Sequence, residues 1–294
     1  MPALFTTNIF EYVRLACSQR RSVMPFLAVA VSVLLPSDPA FSRTPPTQLR
    51  VPRRTGVLAC SAASSFDIDL ATKLAGFCEA SYCSPASDSI RAVERAARLV
   101  EQKELQGGAG YFIARSPLAV YVAFRGTANV ENVFSDLSVA LVDMPWLAPQ
   151  GDFAGARLQG VPMKGRAGFV TPVKGHAGFV ELYLSIRSLV LDATMRAVTE
   201  AEAAHARAPA VCVTGHSLGG ALATLFAADV SANLPQLQHR LCVYSFGSPR
   251  VGDEAFAREF DECVPHSFRC RNKLDLVPRL PLWSPAFKYK HVGR

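Results

Sequence analysis

Ser217 lies in Gly215-His216-Ser217-Leu218-Gly219-Gly220, after the short apolar run Ala210-Val-Cys-Val-Thr214 and before Ala221-Leu-Ala-Thr-Leu-Phe226. A serine hydroxyl is a weak nucleophile until a base takes its proton, and it must stand clear of the backbone that carries it. Strand, Gly-x-Ser-x-Gly and helix in that order meet the second need, because small residues on both sides permit a sharp, strained turn that lifts the hydroxyl out. The Leu218 amide at the head of the helix would then face the charge that develops on an attacked carbonyl oxygen. A bare Gly-x-Ser-x-Gly arises often by chance. With a strand before it and a helix after it, the pattern predicts acyl-transfer chemistry at Ser217, a purely structural Gly-rich turn being the lesser alternative.

A second candidate lies upstream. Phe124-Arg125-Gly126-Thr127 follows the strand-like run Leu118–Phe124 and continues as Ala-Asn-Val-Glu-Asn132-Val133-Phe-Ser-Asp136-Leu137. A loop leaving a strand there could supply the second oxyanion donor through the Thr127 N–H and hydroxyl. Arg125 and Asp136 fit a plainer role, pairing with each other to hold the loop.

These pieces need elements to position them. Phe66–Cys83 reads as an opening helix, with Leu70, Leu74, Phe77 and Cys78 at helical spacing, and Arg91–Gln106 as a second helix on an exposed face. Tyr111–Arg115 and Leu118–Phe124 flank Ser116-Pro117 and suggest a hairpin. Phe179–Ala208 is a long amphipathic helix, and the helix after Ser217 runs to about Asn233. Leu241–Phe246 and Ser267–Cys270 are strand-like, with a helix over Glu254–Cys263 between them. Strands alternating with helices predict an α/β fold with a mostly parallel central sheet covered by helices on both faces. A short duplication, Lys164–Val170 against Lys174–Val180, occurs once and reads as local slippage rather than a repeat architecture.

Taken together these segments resemble the class 3 lipases, a family of the α/β-hydrolase fold that includes the fungal triacylglycerol lipases and their plant relatives. The resemblance runs from about Phe66 to Arg294. It is carried by Phe-Arg-Gly-Thr127, Gly175-His176-Ala-Gly-Phe179, Gly215–Gly220, Phe246-Gly-Ser-Pro-Arg-Val-Gly252 and Asn272-Lys-Leu-Asp275-Leu-Val-Pro278, in family order. It implies Ser217 as nucleophile, Asp275 as the acid of a catalytic triad, and Thr127 with Leu218 as the oxyanion hole. It also implies a lid over about 127–142, a short helix whose apolar face opens at lipid surfaces. Family members carry Trp where this chain has Val133, a departure that bears on the lid's hinge and leaves the chemistry alone. The implied function is serine carboxylic-ester hydrolysis, with acylglycerols or related glycerolipids such as galactolipids as substrates and water as final acceptor.

The triad order in this fold is Ser, Asp, His. Of the six histidines (176, 205, 216, 239, 266 and 291) only His291 follows Asp275, and it stands in a His-x-Gly motif that the family does not use for catalysis. The resemblance places the catalytic His some tens of residues further on. The expectation is therefore a sequence that is C-terminally incomplete, lacking the family's final segment and leaving a sheet edge exposed. The alternatives are His291 as base, or a catalytically inactive lipase-like protein that binds lipid or a protein partner. His216 belongs to the turn and would point elsewhere, His176 matches a structural position, and His205, His239 and His266 are read as surface or satisfied residues.

The totals limit the other possibilities. The chain has 294 residues, half of them hydrophobic, enough for a sizeable core. Net charge is +7, but residues 1–65 hold seven Arg (14, 20, 21, 43, 50, 53 and 54) against Glu11 and Asp38 alone. The remainder is close to neutral, which argues against nucleic-acid binding. Arg14, Arg20 and Arg21 precede a thirteen-residue apolar run, Val23–Leu35, too short for a membrane span and suited to a signal peptide. Beyond Pro39-Ala40-Phe41-Ser42, the acid-free, Arg-, Ser- and Pro-containing stretch to Ser65 has transit-peptide composition, so 1–65 reads as a targeting leader and 66–294 as the hydrolase domain. Secretion or the endomembrane system is expected, with a plastid reached through a bipartite leader as the alternative. Cys212 and Cys242 read as core residues, and Cys78/Cys83 and Cys263/Cys270 could form local disulfides in an oxidising compartment. No Cys-x2-Cys or His-x3-His pair and no cofactor motif is present, so neither a metal nor a cofactor is expected.

Overall fold

A computed structural model describes residues 66–105, 108–127, 140–148, 157–158, 161–162, 169–205, 208–271, 275–281 and 288–294. The leader, 1–65, and the central part of the expected lid, 128–139, lie outside the described residues.

Six strands form the main sheet: β1 (Arg98–Glu104), β2 (Gly110–Arg115), β3 (Ala119–Arg125), β4 (Ala210–His216), β5 (Leu241–Phe246) and β6 (Ser267–Cys270). They lie side by side in chain order. β1, β2 and β3 are an antiparallel meander, and β3 through β6 are parallel. The hairpin at Ser116-Pro117 closes with the Ser116 N–H donating to the Ala119 carbonyl at 2.8 Å.

Alternation along each strand sends side chains to two separate cores. Val120, Val122 and Phe124 of β3 and Val211 and Val213 of β4 face α3 (Ala177–Ala204), α4 (Leu218–Asn233) and α5 (Glu254–Cys263). Ala119, Tyr121 and Ala123 of β3 and Ala210 and Cys212 of β4 face α1 (Ile68–Ala80) and α2 (Ser87–Val93). Burial on both faces is what makes these strands read as continuous apolar runs. The architecture is the expected three-layer α/β fold. A smaller antiparallel sheet of Leu141–Asp143, Lys174–His176, Gly252–Asp253 and Tyr289–Lys290 lies apart from it and leads directly into α3.

The helix expected over Arg91–Gln106 is a correction. The helical part, α2, stops at Val93, and Arg98–Glu104 is β1. Its Arg, Glu, Gln and Lys suit a helix, yet helix propensity is a weak preference that strand pairing overrides. Here Gln102 and Lys103 pair with Phe112 and Tyr111 of β2. The side chains hold the edge as well: Gln102 accepts from the Ala86 N–H and donates to the Cys83 carbonyl, and Glu101 accepts from the Tyr111 hydroxyl. Charged side chains on an outer strand also discourage pairing with another sheet.

No disulfide joins two cysteines among the described residues. Cys78 is engaged instead with the Thr214 hydroxyl, at 3.0 Å, and burial pushes its thiol up to about 12, so it stays protonated. At the far edge, β6 exchanges two backbone hydrogen bonds with Arg294: the Arg269 N–H donates to the Arg294 carbonyl, and the Arg294 N–H to Ser267.

One buried charge ties the layer that carries α4. Asp229, with no solvent exposure, accepts two hydrogen bonds from Arg187 at 2.6 and 2.9 Å, one from the Tyr183 hydroxyl at 2.6 Å and one from Asn233 at 2.6 Å. A carboxylate can be kept in such a place only when its oxygens are fully used. Replacing Asp229 with Ala leaves Arg187 and Tyr183 without their acceptor, and is expected to cost about 3 kcal/mol of stability. Urea denaturation measures it, and a loss below about 1 kcal/mol would show that α3 and α4 do not depend on this network.

Candidate active site

Ser217 is the single residue between the end of β4 and the start of α4. Its backbone is in the left-handed half of conformational space, φ 57° and ψ −126°, and it is the one positive-φ residue other than glycine among the described residues. Such a backbone costs an L-residue of order 1–3 kcal/mol and persists only where its surroundings enforce it. Those surroundings are main chain. A side chain beginning at Gly215 would meet the Gly219 carbonyl oxygen at 2.1 Å, and one beginning at Gly219 would meet that of Phe124 at 2.3 Å. The glycines of the motif therefore let α4 start directly against the ends of β3 and β4.

Ser217 heads a helix, a position where a serine hydroxyl ordinarily caps the free amides. It makes no capping bond here. Its Oγ is buried and has no hydrogen-bond partner among the described residues. Its backbone is fixed instead, with the Ser217 N–H donating to Phe246 and its carbonyl accepting from Gly220, both at 2.9 Å. The hydroxyl has no partner among the described residues, and the amides of Leu218 and Gly219 precede the first hydrogen bond of the helix.

Thr127 leaves β3 at the same end of the sheet. The register pairs Phe124 with Gly215, so the two chains run forward together from that point, one to Thr127 and the other to Ser217. Thr127 is buried and its Oγ1 likewise has no partner among the described residues. Arg125, expected to pair with Asp136, has Glu104 of β1 as its partner, at 3.1 Å. Asp136 lies outside the described residues.

Asp275 follows β6 and stands over the end of β5. Its Oδ2 is 2.7 Å from the point where a side chain on Gly247 would begin, and Gly247 has φ +59°. Its Oδ1 accepts from the Val277 N–H at 2.9 Å. Burial raises its pKa above the ordinary aspartate value, and the Val277 N–H partly opposes that. Thr127, Ser217, Gly247 and Asp275 thus follow the C-terminal ends of four consecutive parallel strands, where open α/β sheets bind their ligands.

Two imidazoles lie near this row, and both are lowered to about 4 by burial, so both are neutral at neutral pH. His216 directs Nδ1 to the Tyr82 hydroxyl at 3.4 Å, and its Nε2 is 3.6 Å from where a Gly247 side chain would begin. His291 bonds through Nε2 to the Pro278 carbonyl at 2.7 Å, which ties it to the turn after Asp275. His176 is buried, stacked on Phe179 at 4.1 Å, and also lowered to about 4 by burial. Among the described residues no group of three or more His, Cys, Asp or Glu could hold a metal ion.

Tyr82 and Gly247 were not singled out from the sequence. Gly247 lay inside a quoted motif, with no sign that a carboxylate would press on it. Tyr82 lies beyond the last turn of α1, 134 positions before its partner His216. Nothing local in the sequence signals that contact.

Residues 121–284 match the family model described as Lipase (class 3). A lipase of Rhizomucor miehei is 31% identical over 180 residues, 60% of this chain and 41% of that protein. Phospholipase A1-IIbeta of Arabidopsis thaliana is 40% identical over 91 residues, 28% of this chain and 21% of that protein. The chain thus spans less than half the length of either relative. A solved triacylglycerol lipase, described as having a serine protease triad as its catalytic centre, superposes with a TM-score of 0.61 at 26% identity, covering 79% of this chain and 80% of that one. With more than half of its length matched by the family model and its sheet, elbow and strand-end loops arranged as described, the chain belongs to the class 3 lipase family.

Proposed function

We propose that this protein is a serine carboxylic-ester hydrolase that cleaves acylglycerols or related glycerolipids through an acyl-enzyme on Ser217. The observation that carries the reading is the state of Ser217: a strained backbone locked by its neighbours, and a buried hydroxyl that neither caps its helix nor bonds to another group among the described residues. Strain and an unspent hydroxyl at the head of a helix are costs that acyl transfer explains.

In this reading the Ser217 oxygen attacks the ester carbonyl carbon, and its proton passes to a histidine oriented by Asp275. The carbonyl oxygen takes the negative charge and is held by the Leu218 and Thr127 amides, with the Thr127 hydroxyl, otherwise unpartnered, as a further donor. Collapse breaks the bond to the alcohol, which leaves with the proton, and water then releases the acid by the same steps. The lid over 127–142 would serve a lipid–water interface. That part rests on the family resemblance and on the Leu276 side chain, 62% exposed beside Asp275. Among the described residues no helix is long and apolar enough to cross a membrane. Secretion is the location that the arginines and apolar run of 14–35 support.

One observation favours a second reading, lipid binding without turnover. His216 and His291 are both engaged elsewhere, with Tyr82 and Pro278. Hydrolysis of a p-nitrophenyl ester and of an emulsified triacylglycerol separates the two readings. Measured on the full-length protein, the proposal expects turnover that Ser217→Ala lowers by about 10⁶, to the detection limit. Turnover unchanged by Ser217→Ala sinks the nucleophile, and no turnover with tight lipid binding selects the second reading.

The contact between Gly247 and Asp275 is tested separately. Gly247→Ala forces a side chain onto a φ of +59° and against the carboxylate, at a cost of about 1–2 kcal/mol from the backbone alone. Adding Asp275→Ala removes the obstacle, so the double variant should be about 1 kcal/mol more stable than the sum of the single effects. Strict additivity in chemical denaturation would show that the two residues do not touch in solution.

A further inference from the structure

The loop that carries Thr127 needs something to hold it in register with Ser217. Main-chain pairing ends at Arg125, so Gly126 and Thr127 are past the ladder. Tyr82 stands where the two loops meet. A side chain on Gly126 would begin 3.0 Å from the Tyr82 hydroxyl oxygen, 2.8 Å from the His216 carbonyl oxygen and 3.4 Å from the Gly219 nitrogen. The same hydroxyl is 3.4 Å from His216 Nδ1. The Arg125 guanidinium lies over the Tyr82 ring, 5.6 Å from its centre, and is itself held by Glu104. One side chain therefore touches the residue on each side of the oxyanion loop's departure, Arg125 and Gly126, and the residue immediately before the nucleophile.

We propose that Tyr82 is a positioning residue that clamps the Gly126–Thr127 loop to the His216–Ser217 turn and so fixes the spacing of the two oxyanion donors. The inference rests on the reading of Ser217 as nucleophile. Tyr82 acts through its neighbours and does not touch substrate. Its hydroxyl is suited to the role. Burial, with the nearby Cys78, holds the phenol well above its ordinary value, so it keeps its proton and can donate to His216. His216 is neutral, and its Nδ1 can accept when the ring proton is on Nε2. The phenol oxygen also lies against the Gly126 backbone, 3.0 Å from where a side chain there would begin. A phenylalanine would keep the ring and its contact with Arg125, and lose the polar link to His216 and the oxygen packed on Gly126.

The charge that the clamp serves exists only when the carbonyl oxygen becomes an oxyanion. Loosening it should therefore lower kcat and leave KM nearly unchanged. The test compares the parent protein, Tyr82→Phe and Ser217→Ala in p-nitrophenyl ester hydrolysis, with amide hydrogen exchange at Gly126 and Thr127 as a readout independent of turnover. The expected result for Tyr82→Phe is a kcat at least tenfold lower, KM within twofold, an unchanged melting midpoint, and exchange of both amides at least tenfold faster. Exchange rates equal to the parent's overturn the clamp. Faster exchange with kcat within twofold of the parent overturns the positioning role. Turnover that survives in Ser217→Ala rejects the nucleophile and not the clamp, which the exchange rates still decide.

Discussion

The site depends on one contact between main chains: the first turn of α4 is pressed against the ends of β3 and β4 with no space for a side chain between them. The remaining geometry follows from that approach. The chain must reverse from strand to helix in a single residue, so Ser217 takes a left-handed backbone. The helix must begin at once, so its free amides open at the strand ends. On its other side α4 meets the loop after β5, where a side chain on Gly220 would begin 2.7 Å from Ser248 Cβ. The strain at Ser217 is thus paid by a helix whose whole length from Leu218 to Ala232 is buried.

Burial acts in one sense on four titratable groups near the site. Asp275 is raised, His216 and His291 are lowered, and the Tyr82 phenol is raised, desolvation being the largest cause in each case. Each shift favours the neutral form. The Ser217 and Thr127 hydroxyls, without partners among the described residues, lie at these same strand ends, in surroundings that disfavour standing charge.

Much of the fold was legible because the elements carry local signals. Leu241–Phe246, Glu254–Cys263 and Ser267–Cys270 were read with the boundaries that the structure has, since apolar runs and a helical stripe are separated there by short connections. β1 was misread because its signal is not local: Arg98-Leu-Val-Glu-Gln-Lys-Glu104 becomes a strand only through the partner that β2 offers. The site shows the same division. Ser217 and Leu218 are legible from one continuous motif. Thr127 rested on less, a loop leaving a strand-like run, and only the pairing of β3 with β4 brings that loop beside Ser217. Asp275 was reached through family resemblance alone, since nothing in its spacing reveals that its carboxylate stands over Gly247. Tyr82 could not be read at all, because its contacts are made by the sheet, which brings the end of α1 beside a residue more than a hundred positions away.

The in-order arrangement of the six strands bears on how the molecule is assembled. No strand is inserted between two earlier ones, so a chain emerging from its N-terminal end always finds the partner of the next strand already made. The antiparallel meander β1–β3 can close through short connections before α3 exists, and it then offers β3 as the template on which β4 is laid. The elbow is the fourth step of this growth and the Asp275 turn comes after the sixth. An unfinished chain can therefore hold a folded sheet while the Asp275 turn is still unmade, and the row of strand ends is the last feature that the growing sheet completes.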